Sequence, residues 1–212
     1  MKKWLLLAGL LLGAGVLSAY IKEGGGTPAA PRSSLRNAVV FHCDLGAAWL
    51  AGDDYPDVDK HAKLTGGFGA ALAIPLGRVV TLDFGFLYDF RGTLLNGHAS
   101  LTNYQISLEY FTIRSGVTFG QKDLQVSVGL FVSILTAAAE VADNDPGLSL
   151  LDVVDSFDIG LDLKVAWRIP LSRKFFITPF MKAQFGLNNL YSDDFLQSNI
   201  TLRWGADFGI NF

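Results

Sequence analysis

Residues 157–169 read FDIGLDLKVAWRI, and their spacing decides the fold. The odd positions are Phe157, Ile159, Leu161, Leu163, Val165, Trp167 and Ile169; the even ones are Asp158, Gly160, Asp162, Lys164, Ala166 and Arg168. Alternate residues of a strand point to opposite faces, so this run predicts a strand with one apolar and one polar face. Upstream, Leu124, Val126, Val128, Leu130, Val132 and Ile134 share one parity, as do Val80, Leu82, Phe84, Phe86, Tyr88 and Phe90. Downstream, Ile200, Leu202, Trp204, Ala206, Phe208, Ile210 and Phe212 alternate with Thr201, Arg203, Gly205, Asp207, Gly209 and Asn211.

Fainter alternation fills the gaps: Val39 to Trp49 on odd positions, Leu64 to Ile74 on even ones, and Phe175 to Leu187 on odd ones. Pro179 sits inside the last of these and cannot donate to a ladder, which predicts a bulge or a local gap there. Between 103 and 119 the apolar parity changes, from Tyr104, Ile106, Leu108 and Tyr110 to Phe111, Ile113, Val117 and Phe119; one inserted residue near Tyr110 would restore the phase. The result is eight strands, at about 38–51, 64–76, 79–91, 103–119, 123–139, 155–169, 174–189 and 199–212. Tight connections at 75–78, 120–122 and 170–173 alternate with longer ones at 52–63, 92–102, 140–154 and 190–198. Short turns at one end facing longer loops at the other describe an all-β, eight-stranded, antiparallel up-and-down transmembrane β-barrel.

Composition narrows the function. Half of the 212 residues are apolar and only 17% are charged, which excludes a disordered chain. A formal net charge of −3 leaves no positive field for nucleic acid. A single cysteine excludes a disulfide framework and a cysteine-based zinc cluster. The chain opens with Lys2-Lys3, an apolar run from Trp4 to Leu17, and then Ser18-Ala19, the layout of a signal peptide over 1–19; the run is short of the ~20 residues a spanning helix needs. Residues 20–37, rich in Gly, Pro and Ser, are expected to form a flexible periplasmic lead before a barrel of 38–212.

A soluble lipocalin-like barrel shares the strand count but would enclose its apolar face. Three features favour lipid outside. The polar face is rich in glycine, which suits a crowded lumen better than a hydrated surface. Its charges nearly balance: Asp44, Asp83, Asp89, Glu109, Asp158, Asp162 and Asp207 against Arg114, Lys164, Arg168, Lys182 and Arg203, a set expected to pair within the lumen. Aromatics gather at two levels, with Trp49, Tyr88, Phe90, Tyr104 and Tyr191 toward the loop end and Phe119, Trp167, Phe175 and Phe212 toward the turn end.

The last strand, with Trp204, Phe208, Ile210 and Phe212 at alternate positions, resembles the C-terminal strand of Gram-negative outer-membrane proteins that the barrel assembly machinery recognises. LEYFTIRSGVTFGQKDLQVSVGLFVSIL (108–135), with the 157–187 hairpin and its FGLNNLY ending, is similar to the outer-membrane β-barrel domain family of PorT-like and OmpX-like small barrels. The resemblance covers about 38–212. It implies an outer-membrane location and a family of mixed functions.

Candidate chemistry is sparse. His42 and Asp44 share the lumen parity, and His98 with Ser100 lies on the second long loop; a lipid-modifying barrel enzyme would need such a His beside an activated hydroxyl. His61 stands near Asp53, Asp54, Asp57 and Asp59, whose spacing matches no EF-hand. Cys43 falls on the lipid-facing parity as a small hydrophobe. No catalytic residue, metal or cofactor is assigned. The expected partners are outer-membrane lipid, the barrel assembly machinery and an extracellular partner at the loops. The leading expectation is a non-enzymatic structural, envelope-stabilising or adhesion-type barrel with a closed lumen; a narrow channel or small-ligand binder is the alternative.

Overall fold

Alternation of apolar and polar residues builds ten antiparallel strands in the computed structural model, which describes residues 36–52, 58–97, 103–121, 123–142, 148–149, 151, 154–188 and 197–212. In chain order they are β1 (Ala38–Gly52), β2 (Val58–Pro75), β3 (Val80–Gly97), β4 (Asn103–Gln121), β5 (Leu124–Ala142), β6 (Leu148–Ser149), β7 (Phe157–Trp167), β8 (Ile169–Pro170), β9 (Phe175–Gly186) and β10 (Gln197–Asn211). β6 and β8 are two-residue segments, so eight long strands form the wall. Each long strand pairs with its neighbours in sequence, and β1 also pairs with β10 over fifteen positions, from Ala38↔Asn211 to Gly52↔Gln197. The sheet therefore closes on itself and leaves no long edge. The expected signal peptide and nearly all of the expected lead lie outside the described residues.

The turn end carries the connections 76–79 and 122–123, and the loop end the longer ones between β1 and β2, β3 and β4, β5 and β7, and β9 and β10. The β2–β3 hairpin runs further toward the loop end than alternation indicates, with Val58↔Gly97 to Ala62↔Thr93 still paired. Residues 58–63 carry no apolar alternation because that stretch stands beyond the apolar belt. The register shifts between Ala62 and Gly66, opposite Thr93 and Phe90. There Gly92 takes a φ of +136°, and a Cβ would collide with the Ile106 carbonyl, so only glycine fits.

Two local expectations meet different outcomes. Near Pro179 the β7–β9 ladder stops at Ala166↔Phe180 and pairing resumes at Ile169↔Ile177, a local gap, while the β9–β10 register runs straight through Ala206↔Pro179. Near Tyr110, β4 holds no inserted residue. The register shift falls on the partner strand, where Glu109↔Ala137 is followed by Tyr110↔Leu135 and Thr136 is the extra residue. β4 keeps one phase throughout: Ile106, Leu108, Tyr110, Thr112 and Arg114 are all buried. What changes along it is the polarity of the inward face.

The outside is apolar all the way round. One residue from each long strand shows it: Phe41, Phe68, Phe84, Phe111, Leu130, Ile159, Met181 and Trp204 are each 40% to 60% exposed. Inside, Asp89 and Arg203 are fully buried. This inverted arrangement suits a wall surrounded by hydrocarbon, where an apolar exterior meets no water and a closed sheet presents no open edge to lipid. The chain is a transmembrane β-barrel of the outer-membrane type, and the outer membrane is its location. Toward the loop end Phe90 is exposed, and Trp49 and Tyr88 share its outward parity; toward the turn end Trp167, Phe175 and Phe212 are exposed. Tyr104 departs from its expected girdle, since it shares the inward parity of Ile106, and Tyr191 lies outside the described residues.

Depth in the bilayer sets the cost of a charge on this surface. Leu130 lies mid-strand on β5 and Leu124 at its turn-end start, both outward and exposed. Leu130→Arg is expected to lower folding stability in lipid vesicles by about 2–4 kcal/mol, and Leu124→Arg by about 0–1 kcal/mol. Denaturant titrations in vesicles measure both.

Candidate functional site in the barrel lumen

Inward positions of neighbouring strands bring distant charges to one level. Asp89 and Arg91, two apart on β3, both face inward; Asp89 Oδ2 accepts from Arg91 Nη2 at 3.0 Å. Arg203 Nη1 from β10 donates to Asp89 Oδ1 at 2.5 Å, and Arg91 Nη1 donates to Asp158 Oδ2 of β7 at 2.5 Å. A chain of charges thus runs from β10 through β3 to β7. Thr112 and Ser133 lie beside it: the Thr112 hydroxyl donates to Asp89 Oδ2 at 2.8 Å and Arg91 Nη2 donates to Ser133 Oγ at 2.8 Å. The Arg91 guanidinium also lies over the Tyr110 ring and over the Phe131 ring, 4.8 and 4.9 Å from their centroids.

A second group lies nearer the turn end. Lys182 Nζ stands 2.5 Å from Asp44 Oδ2, and Arg203 Nη1 reaches Asp44 Oδ1 at 3.4 Å. Lys164 Nζ donates to Asp207 Oδ2 at 2.9 Å. His42 joins the two carboxylates, with Nδ1 2.6 Å from Asp207 Oδ1 and Nε2 2.7 Å from Asp44 Oδ2, and it stacks on Phe180 at 4.7 Å. Gln184 bridges Asp162 and Thr201. Among the described residues, five cations (Arg91, Arg114, Lys164, Lys182, Arg203) and five carboxylates (Asp44, Asp89, Asp158, Asp162, Asp207) are buried in this lumen. Removing charges from water is costly, and pairing with further hydrogen bonds is what offsets it. The Nε groups of Arg91 and Arg203 and Oδ1 of Asn199 are sealed in without a partner.

The remaining expected members lie at the margins. Asp83 is inward near the turn end and accepts from the Thr118 hydroxyl. Arg168 stacks on Phe176, 3.6 Å from its centroid, and Nη2 donates to Asn211 Oδ1 at 2.9 Å. Glu109 is not in the lumen. It shares the outward parity of Phe111, and its Oε2 accepts from Tyr88 at 2.6 Å, beside Lys63, whose Nζ donates to Ser107 Oγ at 2.5 Å. The parity change read near Tyr110 is what misplaced it: with no insertion in β4, odd positions face outward along the strand's whole length. Conversely, Arg91 joins the network although the sequence alternation ends strand three there; its parity with Asp83 and Asp89 is the signal that identifies it. Trp204, Phe208 and Phe212 of the last strand are exposed on the outside.

Polarity changes again at the loop end. Leu50, Ile106, Leu108, Tyr110, Ala138 and Val154 form a buried apolar cluster, with Leu95 and Leu135 packed against it. Val154 comes from the segment between β5 and β7. That segment returns to the wall through Leu135 N–H donating to the Ser156 carbonyl at 2.8 Å, and β6 pairs with Ala139 and Glu140 of β5. An apolar layer thus lies above the charged one.

The described hydrogen-bond partners of His42 are Asp44, Asp207 and Lys182, none of them a hydroxyl. His98 and Ser100 lie outside the described residues, as do Asp53, Asp54 and Asp57 near His61. Among the described residues no group of three His, Cys, Asp or Glu side chains is arranged to hold a metal ion.

No family model matches the chain, and no curated protein does. Several solved outer-membrane proteins are similar in fold. Ail, the attachment invasion locus protein of Yersinia pestis, was crystallised with the heparin analogue sucrose octasulfate; it is 14% identical, with 82% of this chain and 99% of that chain covered and a TM-score of 0.47. Neisserial surface protein A is 12% identical over 82% of this chain and 99% of its own, with a TM-score of 0.45. OprG from Pseudomonas aeruginosa is 9% identical over 85% and 98%, with a TM-score of 0.44.

The charge chain predicts its own response to mutation. Arg203→Met leaves Asp89 and Asp44 short of a partner and is expected to cost about 3–5 kcal/mol. Adding Asp89→Asn removes one stranded charge and is expected to restore part of the loss, read by urea titration of the refolded barrel.

Proposed function

We propose that this outer-membrane barrel is a non-enzymatic surface protein of structural, envelope-stabilising or adhesion type, acting through its outside rather than through its lumen. The supporting observation is the order of layers inside. Paired Arg–Asp charges tie β10, β3 and β7 together, and an apolar cluster that includes Val154 lies above them at the loop end. A solute path would need to break both. An eight-stranded interior is about as wide as the side chains that fill it, so a closed core is the ordinary state of this architecture.

In this reading the chain belongs with the PorT-like and OmpX-like small barrels that its 108–135 stretch resembles. The barrel assembly machinery engages β10 through Trp204, Phe208, Ile210 and Phe212, membrane lipid contacts the belt, and an extracellular partner meets the connections at the loop end. The acidic residues Asp53, Asp54, Asp57, Asp143 and Asp145 in those connections favour a partner with basic or polar surface.

Planar-bilayer recordings on the refolded barrel test the proposal. No stable conductance steps are expected at moderate voltage. Reproducible steps that change with Arg203→Met would replace this reading by a narrow channel.

A further inference from the structure

The charge network leaves one part of the lumen unfilled near the turn end. A cavity of about 50 Å³ lies there, bounded among others by Arg114, Lys164, Arg168, Asp83, Asp207 and Thr118. By the measure that allots about 10–15 Å³ to a water, it holds roughly three to five waters, or one small oxyanion.

Its lining charges are not equally engaged. Asp207 is bonded by Lys164 and His42, so that carboxylate and the ammonium are already used, while Asp83 accepts from the neutral Thr118 hydroxyl and keeps its charge. Arg114 differs. It is 6% exposed, and although the charges of Asp162, Asp207 and Asp83 act on it, no described residue hydrogen-bonds to it or lies within ion-pair distance. Nor are its nitrogens sealed in protein, as Nε of Arg91 and Arg203 are. The guanidinium therefore presents its donors to the cavity. Arg168, across the same space, spends one nitrogen on Asn211 and has no carboxylate partner, and its plane is held by the Phe176 ring.

Two planar forks with free donors face this space, whose lining holds three cations (Arg114, Lys164, Arg168) against two carboxylates (Asp83, Asp207), one of them paired with Lys164, and this excess suits an anion over a cation. We propose that the turn-end cavity is a binding site for a small oxyanion of the phosphate or sulfate type, with Arg114 as the buried anchor and Arg168 as the second, half-exposed arm. The ligand enters from the turn end, where Asp83, Gln125 and Arg168 are half-exposed; toward the loop end the Lys164–Asp207–His42 group and the charge chain lie above it. This site is separate from the proposed surface role, since a barrel without it would be equally closed to through-flow.

Titration of the refolded chain in an uncharged detergent with inorganic phosphate, at constant ionic strength and followed by calorimetry, tests the proposal. Saturable binding at one site is expected, with sulfate competing. Arg114→Gln is expected to weaken it by at least about tenfold, the worth of one lost charge-assisted hydrogen bond, with the folded gel mobility retained. If Arg114→Gln does not fold, Arg168→Gln is the second variant, and weaker phosphate binding by this folded barrel is expected. Absence of saturable phosphate or sulfate binding by the folded wild type would overturn the proposal, as would undiminished affinity in whichever of these variants folds.

Discussion

The contact between Arg203 and Asp89 is the constraint on which the interior depends. A barrel wrapped in hydrocarbon offers no bulk water along its wall, and its lumen is narrow, so each inward charge must find its opposite within a few ångströms. Arg203 answers two carboxylates on two other strands, and Asp89 passes the connection to Arg91 and on to Asp158. Four strands, β10, β1, β3 and β7, are thereby fixed in height relative to one another. A one-residue slip of any of them would move its inward charge to the lipid face, so the same pairs that fill the lumen also hold the register.

The architecture was legible because lipid imposes a strict rule on one face only. Wherever a strand crosses the belt, alternate positions must be apolar, and 157–169 or 200–212 show this plainly. Where a strand stands clear of the belt the rule lapses, which is why 58–63 and 92–97 carried no signal although they pair. β4 misleads for a related reason. Its inward side changes from apolar at Ile106, Leu108 and Tyr110 to polar at Thr112 and Arg114, and a change in the polarity of one face imitates a change of phase. Glu109, read through that apparent change of phase, falls on the wrong face. Which charges meet inside could not be read at all, since partners as far apart as Arg203 and Asp89 come together only through the closure of the sheet.

The three interior layers divide the labour of the fold. Near the turn end, Ala38, Val40 and Phe176 form a small apolar group beside a polar cavity. Mid-lumen charges tie the wall together, and aliphatic packing at the loop end takes in Val154 from a connection. Close approach is needed to fit all this: Gly209 lies so near the Phe176 ring that any side chain there would displace it. The result is a core built like that of a soluble domain at its two ends and like an ion-pair network at its waist.

The seam between β1 and β10 joins the first wall strand to the last over its full length. Until the ribosome has released Gln197–Asn211, β1 has nothing to zip against on that side, and every shorter nascent chain keeps two raw edges. The cylinder is therefore a post-translational product: delivery must keep the whole chain open and soluble across the periplasm, and a stop before β10 leaves β1 without its seam partner and the ribbon unclosed.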